Sequence, residues 1–77
     1  MKRVGFDHTQ LTAAREAAAL SIRELAERAG LSHQTLVILE AGKTQPRVDT
    51  LAKIARALGV ELVTLLHQSR PKVEAAS

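Results

Sequence analysis

The chain of 77 residues contains no cysteine, no tryptophan, no tyrosine and one phenylalanine, Phe6. Without cysteine, neither a disulfide nor a thiolate metal site can staple so small a domain. A chain this short buries only about 60% of its unfolded surface, so its core must come from Leu, Ile, Val and Ala. Near-absence of aromatic rings argues against stacking platforms for single-stranded nucleic acid. No apolar run approaches the roughly 18 residues of a membrane span, and the N-terminus lacks the apolar segment of a secretion signal. A cytoplasmic location without a membrane partner is therefore expected. His8, His33 and His67 stand far apart, with no H-x-x-x-H or H-E-x-x-H spacing, and no glycine-rich phosphate loop follows a strand. No metal, no cofactor and no enzymatic activity are expected. Charge of one sign is also scarce. The net charge is +3, with acids and bases interleaved, so any basic patch has to be made by folding.

What is present is helical punctuation. Met1–Phe6 reads as a flexible lead-in carrying Lys2 and Arg3. Asp7 with Gln10, or alternatively Thr9, can cap a first helix to about Ala19, with Leu11, Arg15 and Ala18 on one face. Ser21 and Glu24 form an S-x-x-E capping box, and Ile22, Leu25, Ala26 and Ala29 follow at i, i+3, i+4 and i+7. Gly30 ends this second helix. Ser32 caps a third from His33 to Ala41, terminated by Gly42. After a loop to Arg47, a fourth helix spans about Val48–Leu58, with Leu51, Ile54, Ala55 and Leu58 inward. Val60–His67 is open between a short helix, from its leucines, and a strand, from its β-branched residues. Residues 68–77 are expected to be disordered. The expectation is an all-α bundle of four to five helices over residues 7–67.

Within it, Ile22–Ala41 has the spacing of a helix-turn-helix. A small residue, Ala26, sits where the two helices meet, Gly30 tolerates the turn, and Ile22, Leu25, Ala29, Leu31, Leu36 and Leu39 point inward. The third helix then presents His33, Gln34, Val37, Ile38 and Ala41. Such a helix lies in the major groove with its N-terminal residues nearest the base edges. Gln34 can donate and accept at once, as an adenine edge requires, and His33 can hydrogen-bond a base or a phosphate. Val37 and Ile38 can pack against thymine methyls.

These residues resemble the helix-turn-helix domain of the Cro and lambdoid phage repressor type, the XRE family. Leu11 with Arg15-Glu16, E-L-A-x-x-A-G-L-S from Glu24, L-E-x-G-K from Leu39 and L-x-K-I-A-R-A-L-G-V from Leu51 carry the resemblance. It implies five helices, operator binding as a dimer and transcriptional regulation. It also implies an ion pair between Arg15 and Glu40, and phosphate contacts from Lys43, Thr44 and Arg47, with Ser32 and Thr35 beside them at the third helix. The bland reading of Lys43 and Arg47 is that of solvated loop charges. The chain departs from the family pattern at Ile22, where Gln is common, at Val37 or Ile38, where one residue is commonly polar, and at Ala41, where Asn is common.

The leading function is sequence-specific binding of double-stranded DNA by a repressor homodimer on a pseudo-palindrome, with Val60, Val63 and Leu66 at the dimer surface. Two alternatives accompany it. One is an antitoxin that binds a toxin protein and represses its own operon. The other is a protein-interaction adaptor whose base-reading residues have been lost.

Overall fold

Helices begin where a side chain can satisfy amides that have no partner in the first turn. The computed structural model describes residues 5–66; Lys2, Arg3, His67 and the tail 68–77 lie outside the described residues. Asp7 accepts from the Thr9 N–H at 3.0 Å and opens α1, His8–Ala17. The Ser21 N–H donates to Glu24 Oε1 at 2.8 Å while Ser21 Oγ accepts from the Glu24 N–H at 3.0 Å, opening α2, Ile22–Ala29. Hydrogen bonding of its carboxylate to Ser21, to the backbone N–H first and to the side chain second, holds the Glu24 carboxyl below its usual range. Ser32 opens α3, His33–Glu40, whereas α4, Val48–Leu58, starts at Arg47 with no side-chain cap.

All four helices close alike. The amide after the left-handed residue reaches back to a carbonyl five positions earlier: Leu20 to Arg15, Leu31 to Ala26, Lys43 to Ile38 and Val60 to Ala55. Gly30, Gly42 and Gly59 hold the left-handed position at three of these turns, and Ala19, with φ 60°, at the first. This turn ends α1 at Ala17, two residues short of the expected Ala19. A Cβ costs about 1–2 kcal/mol in that conformation, and glycine returns part of the gain through its unfolded-state entropy. Ala19→Gly is therefore expected to stabilise the domain by about 0.5–1 kcal/mol, a rise in Tm of roughly 2–8 °C. A thermal melt with unchanged or lowered Tm would contradict the strain assigned to Ala19.

Apart from Phe6, the core is aliphatic. Leu11, Leu25, Leu36, Leu39, Ile54 and Leu65 are its largest fully buried side chains. Helix α2 packs on α4 and α3, α4 packs on a 3₁₀ turn at Leu62–Leu65, and α1 bridges α3 and that turn. The open segment after Val60 thus becomes a single 3₁₀ turn, followed by Leu66 in an isolated antiparallel bridge to Phe6.

Phe6 departs from its expected place in a flexible lead-in. The residue is 8% exposed, and the next amide, on Asp7, donates to the Leu65 carbonyl at 3.0 Å. The ring is the largest apolar group that the chain owns, and burying one stabilises by about 1.5–3 kcal/mol. Among the described residues, packing therefore already includes Phe6, one residue ahead of the expected boundary.

Candidate nucleic-acid interface

The end of α3 is tied to α1 through one carboxylate. Glu40 accepts from Arg15 Nε at 2.6 Å, from Arg15 Nη2 at 3.0 Å and from Thr12 Oγ1 at 3.1 Å. Arg15 Nη1 donates to the Leu20 carbonyl at 2.8 Å, so the same guanidinium also holds the turn after α1. The two side chains are only 14% and 9% exposed. Hydrogen bonding to Glu40 outweighs desolvation and raises the Arg15 pKa above its ordinary value. A planar fork against a carboxylate fixes direction as well as distance. Helix α3 is thereby held at its C-terminal end while its N-terminal turn faces outward.

That first turn exposes His33 and Gln34. Ser32 and Thr35, placed by sequence among the phosphate contacts, are engaged with each other. Ser32 Oγ accepts from the Thr35 N–H at 3.0 Å and lies 2.8 Å from Thr35 Oγ1. Val37 is exposed, but Ile38 is half-buried, in contrast to the exposed pair expected. A helix that points Leu36 and Leu39 inward places Val37 and Ile38 on opposite flanks. Neighbouring chain covers only the Ile38 flank. The outward face is consequently narrower than the sequence suggested: His33, Gln34, Val37 and Ala41.

Beyond α3, the loop exposes Lys43, Thr44, Gln45 and Arg47. Arg47 Nε lies 3.8 Å from Asp49 Oδ1, with both side chains largely in solvent. In the 3₁₀ turn, Val63 is the exposed member of the expected dimer trio. Val60 and Leu66 are half-buried and packed on the core. Among the described residues no helix is long and apolar enough to cross a membrane, and no group of three His, Cys, Asp or Glu side chains is placed to hold a metal ion.

The helix-turn-helix geometry has its counterpart in known proteins. The family model HTH_3, helix-turn-helix, matches residues 11–65. The chain belongs to this family. It is 39% identical over 64 residues to the uncharacterized HTH-type transcriptional regulator y4dL of Sinorhizobium fredii, an alignment covering 83% of this chain and 33% of that protein. The chain thus spans about a third of that relative's length. Among solved structures, the restriction-modification controller protein C.AhdI from Aeromonas hydrophila superposes with a TM-score of 0.73 at 29% identity, covering 75% of this chain and 88% of that one. The N-terminal DNA-binding domain of the biofilm regulator SinR from Bacillus subtilis superposes at 0.70 with 29% identity, covering 84% and 96%.

In this HTH_3 chain three features escaped sequence reasoning. Val48, at the start of α4, is 70% exposed, because a helix's first turn projects beyond the face that its later residues bury. His8 and Gln45 make bonds to residues more than thirty positions away, which no local pattern announces. Phe6 had a signal, as the chain's single aromatic residue.

Proposed function

We propose that this helix-turn-helix domain binds double-stranded DNA sequence-specifically through α3, as a homodimer, and represses transcription. The observation that carries the proposal is the outward first turn of α3, where Gln34 and His33 stand exposed beside Val37 while Arg15 and Glu40 hold the helix from behind. Gln34 reads one base pair, Val37 supplies apolar contact, and Lys43, Thr44 and Arg47 contact phosphates. Ser32 and Thr35 support the turn through their mutual cap, with phosphate contact as their further role. A dimer through Val63, flanked by Val60 and Leu66, sets two α3 helices about 34–36 Å apart on a pseudo-palindrome. The family membership, the regulator relatives and the likeness to a DNA-binding domain support this reading.

The test is selection of bound sequences from a random duplex library, followed by anisotropy titrations across salt concentrations. Gln34→Ala is expected to relax preference at one base position by about 5- to 150-fold, the equivalent of roughly 1–3 kcal/mol. Lys43→Ala is expected to weaken binding to every sequence and reduce the slope of log K against log salt by about 1. Equal loss of discrimination in both variants would contradict the roles assigned. No salt-dependent binding by the unaltered chain would overturn the proposal in favour of a protein-binding adaptor.

A further inference from the structure

We infer that His8 and Gln45 are positioning residues that clamp the Lys43–Arg47 loop to the N-terminal segment, presenting its charges in a pre-arranged geometry. The inference rests on the DNA-binding reading above. It starts from a difference among the four helix ends. After the left-handed residue, α1, α2 and α4 place Leu20, Leu31 and Val60, each buried in or packed on the core. A contact of that kind locks this type of turn. Helix α3 places Lys43 there instead, exposed to solvent. Its turn lacks the apolar anchor of the other three.

Two side chains from outside supply the anchor. The His8 ring lies against Gly42 so closely that a Cβ there would fall 2.7 Å from both Cδ2 and Nε2. His8 Nδ1 is also 3.1 Å from the Glu40 carbonyl oxygen. A carbonyl only accepts, so Nδ1 carries the proton in this contact. Farther along the loop, Gln45 Oε1 accepts from the Phe6 N–H at 3.3 Å. Phe6 is itself immobilised by its buried ring and its bridge to Leu66. Lys43 and Thr44 therefore sit between two fastened points. A loop ordered before binding loses less freedom when it meets a phosphate backbone.

Anisotropy with a labelled random-sequence duplex, using the full chain at several salt concentrations, tests the assignment. His8→Ala and Gln45→Met are each expected to weaken binding about 2- to 10-fold, with base preference in the selected site retained. In a Lys43→Ala background the same changes should cost clearly less than in the unaltered chain, since part of their effect passes through that side chain. Amide exchange without DNA gives a separate readout. His8→Ala should speed exchange at Lys43 while the amides of α2 and α4 keep their protection. If the unaltered chain binds and both variants match it, or their losses multiply independently of Lys43→Ala, the positioning role is overturned and the DNA reading stands. If the unaltered chain binds no duplex at low salt, the DNA reading falls and takes the functional half of the assignment with it. Faster Lys43 exchange would in that case still report the clamp.

Discussion

Glu40→Ala is expected to lower stability by about 3 kcal/mol, the lower end of what stranding one member of a buried ion pair costs, because both side chains keep slight exposure. The stranded groups are the Arg15 guanidinium, which loses two of its three hydrogen bonds, and Thr12 Oγ1, which loses its carboxylate acceptor. A domain of this size is stable by roughly 0.05–0.15 kcal/mol per residue, so the change removes a large share of the total. Urea denaturation measures it directly, and a fall of under about 1 kcal/mol would place the pair with ordinary surface bridges. Two controls separate burial from charge. Asp49→Ala breaks the exposed contact to Arg47, whose side chains are 86% and 72% exposed, and should cost no more than about 1 kcal/mol, mostly from the lost charge at the α4 N-terminus. Arg15→Met with Glu40→Leu removes both charges and should recover most of the loss, since a buried pair replaced by apolar side chains is often neutral or stabilising. The single variant also frees the C-terminal end of α3, so DNA affinity should fall with stability.

Gly42→Ala is the second large effect, and its size follows from the neighbour that the new methyl meets. At φ 75° any L side chain costs about 1–2 kcal/mol. At 2.7 Å the Cβ also strikes the His8 ring, and forcing extra atoms into a filled site costs about 1–3 kcal/mol more. Gly30→Ala and Gly59→Ala carry only the backbone cost, because nothing lies within 4 Å of a Cβ at either position. The expected order in urea is therefore Gly42→Ala well below the other two. In a His8→Ala background the three should become equal. Three equal costs in the unaltered background would show that the ring swings aside freely and does not fasten the loop.

How far the chain could be read varies with the range of the interaction. The bounds of α4 were legible to the residue, since Pro46, Asp49 and Gly59 act within a turn of the helix end. The inward faces of α2 and α4 were legible for the same reason: Leu25, Ala26 and Ala29, then Leu51, Ile54 and Ala55, recur at helical spacing and are buried. The end of α1 was read two residues too late, because Ala19 adopts a conformation that alanine seldom takes. On α3 the spacing located Gln34 on the outward face but could not rank Val37 against Ile38, which stand on opposite flanks of one helix. Arg15 and Glu40 were paired only through family resemblance.

The sequence by itself determined the first four helices, the Ser21–Glu24 and Ser32 caps, the apolar faces of α2 and α4, and the helix-turn-helix spacing between the second and third. Those properties depend on side chains reaching no more than one turn along their own backbone. Tertiary structure alone decided which flank of α3 is covered, that Phe6 belongs to the core, and that His8 and Gln45 fasten the loop after α3. These contacts join residues 32 and 39 positions apart, and their geometry exists only once α1, α3 and the 3₁₀ turn have packed together.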